Sequence, residues 1–198
     1  NPIPAWQEAV KRMVDLLVSG TALAVLSPFL VFTAWRVKQS GPGPIFYYQE
    51  RVGRNGKSFW IVKFRSMRLD AEANGPQLSS DNDPRITPWG RIMRKYRLDE
   101  LPQFWNVLRG DMSLVGPRPE RPYYAHQLLE RAPHYAQLHK IRPGITSWGM
   151  VRYGYASNLE EMLERMKYDL VYLENATLFA DLKVLVYTVL IVLQGRGK

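Results

Sequence analysis

The sequence contains no cysteine and has few acidic residues relative to basic ones. The absence of cysteine excludes disulfides, zinc–thiolate sites, iron–sulfur clusters and a cysteine nucleophile. Eighteen acidic residues against 27 lysines and arginines leave a net charge of +9, which favours anionic partners. Composition alone does not choose among nucleic acid, anionic lipid and phosphorylated substrates. With 198 residues, 46% of them hydrophobic, the chain is long enough for one compact domain with an appendage.

Charged residues are also absent from a run of 20 residues between Leu16 and Trp35. As one helix this run would be about 30 Å long, which is the thickness of the hydrocarbon core of a bilayer. A buried core helix is the other interpretation, but a segment that is apolar on all sides favours a membrane. The length of the run and the lack of a small-residue cleavage site argue against a secretory signal.

The sequence Ser27-Pro28 interrupts this run, and basic residues flank it on both sides. An interior proline removes a backbone hydrogen bond and clashes with the preceding turn. Basic residues favour the cytoplasmic side of a membrane, and here they stand before and after the run, as Lys11, Arg12, Arg36 and Lys38. We therefore predict that residues 1–40 form a re-entrant membrane helix, broken at Ser27-Pro28, and that residues 41–198 form a cytoplasmic catalytic domain.

A basic β-hairpin is predicted directly after this segment. Two β-rich runs, residues 45–49 and 58–64, are separated by Asn55-Gly56, which is a strong hairpin signal. Residues 36–68 contain one acid, Glu50, and eight basic side chains: Arg36, Lys38, Arg51, Arg54, Lys57, Lys63, Arg65 and Arg68. A solvated basic face would account for these charges, but their position after a membrane segment favours contact with phosphates or anionic headgroups.

Helical patterns dominate the rest of the chain. Thr87-Pro88 begins a helix whose apolar stripe opposes Arg91, Arg94 and Lys95, and the pattern fits either a surface helix or one in the headgroup plane. Ser157 and Glu160 predict a capping box. The last apolar run, residues 184–193, is too short to span a bilayer and predicts an interfacial or docking helix. The expected fold class is α+β, mostly helical, with one small hairpin.

Two adjacent carboxylates, Asp99 and Glu100, precede Pro102, which is tolerated only in the first turn of a helix. We therefore predict a helix that begins near residues 99–101 and ends at Gly110. Negative charge is favoured at a helix N-terminus, and two carboxylates beside a phosphate site would recruit Mg²⁺. Simple helix capping is the alternative role for the pair.

Further arginines stand in stiff turns. Pro117 and Pro119 flank Arg118 and restrict the backbone, so a guanidinium there loses little entropy on binding a phosphate. A rigid turn with an incidental arginine would give the same pattern. Arg142-Pro143-Gly144 opens another turn.

Several of these motifs occur in the order found in one family. They are Lys11-Arg12 with Asp15, Ser27-Pro28, residues 63–67 (KFRSM), residues 98–103 (LDELPQ), residues 112–120 and residues 142–146. Together they resemble the bacterial sugar transferases, the monotopic phosphoglycosyl transferases. The resemblance implies transfer of a sugar 1-phosphate from a UDP-sugar to undecaprenyl phosphate, with release of UMP, at the start of lipid-linked glycan assembly. It also implies membrane lipids as partners, the cytoplasmic face of the bacterial inner membrane and no nucleic acid, and it leaves a homo-oligomer open.

Residue roles follow from the same resemblance. Asp99 is expected to be the nucleophile that forms a covalent aspartyl-phosphosugar intermediate, and Glu100 its partner, with Mg²⁺ bound at both. Phosphate binding is expected from five basic residues: Lys63, Arg65, Arg94, Arg118 and Arg142. Two alternatives remain, a membrane-bound nucleotide-sugar hydrolase or phosphatase and a membrane-anchored module that binds nucleic acid or anionic lipid. The second leaves the adjacent carboxylates unexplained, because acids oppose binding to nucleic acid.

Overall fold

The computed structural model describes residues 3–73, 75–79 and 83–195. In this part of the chain, eight helices and four short strands follow one another as two N-terminal helices, a hairpin and a mixed helical region. The helices are α1 (Ala5–Val25), α2 (Ser27–Gln39), α3 (Pro88–Lys95), α4 (Gln103–Arg109), α5 (Pro122–Arg131), α6 (Trp148–Arg152), α7 (Leu159–Glu174) and α8 (Leu178–Leu193). The strands are β1 (Phe46–Val52), β2 (Ser58–Phe64), β3 (Ser113–Val115) and β4 (Gly144–Thr146). The expected α+β class with a small hairpin is confirmed.

The charge-free run forms the end of α1 and most of α2, which meet at Leu26 with a bend of 64°. Pro28 is in the first turn of α2, where its missing N–H costs no helical hydrogen bond, and the Ser27 hydroxyl donates to the carbonyl of Ala24 (2.8 Å). No single described helix is long and apolar enough to cross a membrane, but α1 and α2 meet that criterion as a bent pair. The predicted break is therefore present, one residue before Ser27-Pro28.

Polar contacts attach the first half of α1 to the rest of the molecule. Arg12 donates to the carbonyls of Val107 (2.6 Å) and Leu108 (3.0 Å) in the last turn of α4, where a cation is favourable. Asp15 is buried and accepts a hydrogen bond from the backbone N–H of Leu114 (3.0 Å). Lys11 forms an ion pair with Asp181 of α8 (2.5 Å). These contacts join α1 to three separate parts of the chain.

The hairpin has the predicted turn. The alternation of side chains along its strands determines which of them face the cavity described below. Tyr47 is opposite Lys63 and Arg51 is opposite Phe59 in the antiparallel ladder of β1 and β2. Because side chains alternate along a strand, Tyr47, Gln49 and Arg51 share one face with Lys63. A parallel two-stranded sheet, β3 with β4, was not predicted; it pairs Val115 with Thr146.

Two predicted helix starts are wrong in detail. Asp99 and Glu100 are in a separate 3₁₀ turn, Leu98–Glu100, and α4 begins only after Pro102, its N-cap. The helix ends as predicted at Gly110, whose φ of 95° favours glycine. The cap of α7 is Asn158 rather than Ser157, and it accepts from the N–H of Glu161 (2.8 Å). Asn is as good an N-cap as Ser, so local composition did not separate the two positions.

The main hydrophobic core lies among α5, α7, α8 and the 3₁₀ segment Pro133–Lys140. Leu128, Met162 and Val184 are almost completely buried there. A second cluster joins the end of α2 to β2 and α3 through Val37, Phe64 and Met93. The first core supports one side of the cavity, and the second holds the end of the bent helix pair close to the other.

Candidate active site

A cavity of about 260 Å³ lies between the hairpin, the segments 65–73 and 75–79, the Asp99-Glu100 turn and the start of α7. Its walls carry many charged side chains: Arg51, Lys63, Arg65, Arg68, Glu72, Arg94, Asp99, Glu100, Arg118, Glu120, Arg121 and Arg165. Pockets that bind small molecules commonly measure 300–1,000 Å³, so the volume suits part of a nucleotide-sized ligand. The excess of cations predicts an anionic ligand.

Glu100 is at the centre of three cations. Its Oε2 atom accepts from Nε and Nη2 of Arg97 (3.1 and 2.7 Å), while its Oε1 atom accepts from Lys63 (3.2 Å) and Arg118 (3.1 Å). Burial would raise the pKa of Glu100, but Arg97, Lys63 and Arg118 outweigh it and hold the pKa well below its usual range. Glu100 is therefore held in its charged form at neutral pH, where it pairs with three surrounding cations.

Asp99 lines the same cavity in a different electrostatic state. Among the described residues no hydrogen bond or ion pair to its carboxylate is found, although the side chain is buried. Burial raises its pKa and the adjacent Glu100 adds to the rise, while Lys63, Arg94 and Arg97 act against it. A carboxylate without a fixed partner, more basic than usual, is the better of the two groups for attack on an electrophile.

The turn that carries this pair needs an unusual backbone. Arg97 has a φ of 55°, a left-handed conformation that costs energy for a residue other than glycine. Its N-terminal position in the 3₁₀ turn places its guanidinium against Glu100 three residues later. Arg97 was not among the predicted site residues, although its place two residues before Asp99 was a usable signal.

The five predicted phosphate-binding residues divide into three groups. Lys63 and Arg118 contact Glu100, and burial lowers the pKa of Lys63 to about 8. Arg94 lines the cavity and donates to the hydroxyls of Ser66 (3.0 Å) and Ser79 (2.6 Å). These three residues are brought together with Asp99.

Arg65 and Arg142 are used elsewhere. Arg65 lines the cavity, but its guanidinium donates to the carbonyls of Val37 (3.2 Å), Gly41 (2.8 Å) and Pro42, and so ties the end of α2 to β2. Arg142 does not line the cavity. It donates to the carbonyl of Gly110 (3.2 Å) and pairs with Glu8 of α1 (3.3 Å).

A second ionic cluster supports the Arg118 loop. The Glu120 carboxylate forms ion pairs with Arg51 (3.6 Å) and Arg165, and Arg51 also donates to the carbonyl of Pro119 (2.9 Å). Arg118 is therefore held by side chains from β1 and α7 in addition to its two flanking prolines. This cluster joins residues that are far apart along the chain, so no local sequence pattern predicted it.

Magnesium would fit Asp99 better than Glu100. A carboxylate has about four lone-pair positions, and all four positions on Glu100 accept from Arg97, Lys63 and Arg118. No group of three or more His, Cys, Asp or Glu side chains suited to a metal occurs within the ranges that the structure describes. Mg²⁺ commonly binds one carboxylate together with substrate phosphates, and Asp99 can supply that carboxylate.

Comparison with known proteins identifies the family of this chain. The family model described as "Bacterial sugar transferase" matches residues 6–195. The chain belongs to the bacterial sugar transferase family. It is 40% identical over its whole length to a UDP-N-acetylgalactosamine-undecaprenyl-phosphate N-acetylgalactosaminephosphotransferase of Aeromonas hydrophila, of which it covers 46%.

Two further relatives of this sugar transferase chain differ in length. It is 37% identical over 96% of its length to a UDP-glucose:undecaprenyl-phosphate glucose-1-phosphate transferase of Escherichia coli K12, of which it covers 41%. It is 39% identical to the exopolysaccharide production protein PSS of Rhizobium leguminosarum bv. phaseoli, with 95% of this chain and 98% of that protein covered. The chain thus spans less than half the length of the first two relatives and nearly all of the third.

Proposed function

We propose that this chain transfers a sugar 1-phosphate from a UDP-sugar to undecaprenyl phosphate, releases UMP and so begins the assembly of a lipid-linked glycan such as exopolysaccharide. The observation that carries the proposal is the contrast between the two acids in one cationic cavity: Glu100 is saturated by three cations, and Asp99 is not. The names of the relatives support the two substrates.

The reaction proceeds in two displacements at the same phosphorus. A carboxylate oxygen of Asp99 attacks the phosphorus that bears the sugar, a P–O bond forms, and the bond to the bridging oxygen breaks so that UMP leaves with that electron pair. An oxygen of undecaprenyl phosphate then attacks the same phosphorus and expels the Asp99 carboxylate. Neither displacement consumes a proton, so the site has to supply positive charge and alignment more than a base.

The basic side chains of the cavity supply that charge. Lys63 and Arg118 are held beside Glu100, and Arg94 is held by two serine hydroxyls, so their positions are set before the donor binds. Asp99 would hold Mg²⁺ if the ion is bound, and the ion would supply further positive charge near the diphosphate of the donor.

We also propose that α1 and α2 form a re-entrant membrane helix on the cytoplasmic face of the bacterial inner membrane. Both ends of the pair contact the catalytic domain, through Arg12 near the start and Val37 near the end. Apolar side chains near the bend are exposed instead, with Val25 at 70% and Val31 at 69%. An apolar tip with both ends on one side fits insertion into and return from a bilayer.

The test uses the full chain in lipid or detergent with UDP-glucose, UDP-N-acetylgalactosamine and related donors. Without acceptor, the correct donor with Mg²⁺ should release about one equivalent of UMP and leave a sugar-phosphate adduct on the Asp99 peptide. Asp99→Asn should abolish both, whereas Asp111→Asn, an acid outside the cavity, should not. Sustained UMP release without acceptor would favour the hydrolase. Adduct on another residue, or no UMP from any donor, would overturn the proposal.

A further inference from the structure

The ring of Tyr155 contacts two arginines, Arg118 of the cavity wall and Arg97 behind Glu100. The guanidinium carbon of Arg118 is 5.4 Å from the centre of its ring, and that of Arg97 is 5.8 Å away. Both distances fall within the range of cation–π contacts. Arg97 donates to Oε2 of Glu100 and Arg118 donates to Oε1, so each of these arginines contacts both Tyr155 and Glu100.

We propose that Tyr155 is a positioning residue, whose ring face holds Arg118 in the orientation that meets a substrate phosphate; this rests on the proposed function. The ring reaches the cavity because Gly154, with a φ of 98°, turns the chain between α6 and α7. The partly buried ring lies against a guanidinium that has already lost part of its water. A cation–π contact strengthens when its cation is desolvated.

The charge of the site explains why a ring is the suitable partner. Lys63, Arg97 and Arg118 carry three positive charges, and Glu100 returns one negative charge. A second carboxylate could fix the arginines equally well, but it would cancel charge that an incoming diphosphate needs. An aromatic face attracts a guanidinium through its quadrupole without adding formal charge. Tyr155 therefore orients Arg118 and leaves the cavity cationic.

The first experiment follows the orientation of Arg118 without any substrate. The arginines of the full chain are modified with phenylglyoxal, and site-resolved mass spectrometry compares the largely buried Arg118 with Arg109, which is exposed and serves as the internal reference. Tyr155→Leu should raise the relative rate at Arg118 by roughly fivefold, and Tyr155→Phe should leave it unchanged. An unchanged rate in Tyr155→Leu would overturn the proposal, whatever the activity of the chain proves to be.

The second experiment measures UMP release and separates positioning from general damage. Tyr155→Leu should lower kcat/KM about tenfold, and Tyr155→Phe should restore it to within about twofold of the unmodified chain. Tyr153→Leu, on a half-exposed ring two residues away that packs against Tyr168, is the matched control and should have little effect. Equal losses in Tyr155→Phe and Tyr155→Leu would assign the effect to the hydroxyl and contradict the proposal.

A double-mutant cycle then tests whether Tyr155 acts through Arg118. In an Arg118→Ala background, the effect of Tyr155→Leu should shrink to less than about threefold, because the cation that the ring holds is gone. Independent, multiplying effects would mean that Tyr155 contacts substrate directly or only maintains the fold. Failure of the proposed transferase would instead appear as absent UMP release in the unmodified chain, with the labelling result unaffected.

Discussion

The cavity around Glu100 and the bent helix pair α1–α2 differ in how far their side chains find partners within the chain. Lys63, Arg97 and Arg118 all bind the carboxylate of Glu100, and the resulting geometry is fixed by contacts within the chain. Near the bend, apolar side chains such as Val25 and Val31 are exposed. Electrostatic contacts within the chain hold the first region together, whereas the second presents apolar surface that the rest of the described chain does not cover.

This comparison also shows how the two regions are connected. Arg65 lies between them, with one face on the cavity wall and its guanidinium on the carbonyls at the end of α2. Arg12 makes a similar connection from α1 to the last turn of α4. The depth of α1 and α2 in a membrane would therefore fix the height of the cavity above it.

The largest expected effect is a difference in thermal stability between substitutions of Glu100 and of Asp99. Glu100→Gln leaves three cations without their anion and should cost about 3 kcal/mol, or roughly 6–12 °C in Tm. Asp99→Asn removes a like charge beside Glu100 and should leave Tm unchanged or raise it slightly. Both variants should lose at least about a hundredfold in activity. Thermal unfolding and UMP release measure these effects, and an equal loss of Tm in the two variants would contradict the assigned roles.

The difference in Tm between the unmodified chain and Glu100→Gln should depend on pH. The pKa of Glu100 in the folded chain lies well below its ordinary value of 4.5, so its stabilising contribution is present above that value. The contribution is lost as the pH falls toward the folded pKa. The gap in Tm between the unmodified chain and Glu100→Gln should therefore be full at pH 7 and narrow below about pH 4.

Two arginine substitutions should distinguish an arginine that acts in the cavity from one that lies outside it. Arg118→Lys should lower kcat/KM about tenfold, because lysine keeps the charge but loses the planar fork that meets Glu100 and Tyr155. Arg142→Lys is the matched control, since Arg142 lies outside the cavity and contacts Glu8 and Gly110. It should stay within about twofold of the unmodified chain. A larger loss from Arg142→Lys than from Arg118→Lys would move the phosphate site away from Glu100.

The activity should depend on the protonation state of Lys63 at alkaline pH. Burial lowers its pKa to about 8, so the ammonium is charged below that pH and loses its charge above it. We expect kcat/KM to fall severalfold between about pH 7 and 9, and Lys63→Arg to move the fall to higher pH. The free energy of unfolding should instead rise with pH as Lys63 loses its proton, because the folded chain releases this proton at a lower pH than the unfolded chain does. A flat profile in the unmodified chain would mean that the charge of Lys63 is not needed.

The smallest effect on catalysis is expected from the bend. Pro28 does not line the cavity, so Pro28→Leu should change detergent activity by less than about twofold. In membranes it should favour a continuous span. Because the chain has no cysteine, single cysteines at Trp6 and Lys57 report their side cleanly. Both should label from the cytoplasm in the unmodified background, and Pro28→Leu should expose a fraction of the Trp6 site outside. Labelling of the two sites from opposite faces in the unmodified background would exclude the re-entrant helix.

Features of the fold that depend on neighbouring residues could be predicted from the sequence. The Asn55-Gly56 hairpin, the Thr87 cap, the end of α4 at Gly110 and the break before Ser27-Pro28 all follow from local backbone preferences. The long motif around Asp99 and Glu100 also singled out the pair, and the structure places both residues in the cavity. The cap of α7 was misplaced by one residue, since Ser157 and Asn158 have nearly equal capping preferences.

The pairing of the charges could not be predicted, because it depends on long-range folding. Lys63 and Arg118 reach Glu100 from 37 and 18 residues away, while Arg65 and Arg142, equally basic in the sequence, turn to backbone carbonyls and to Glu8. The difference between Asp99 and Glu100 has the same origin: adjacent carboxylates are alike until folding surrounds one with cations and leaves the other facing the cavity. Coulomb energies depend on distance and burial, and neither is a property of a residue's place in the chain.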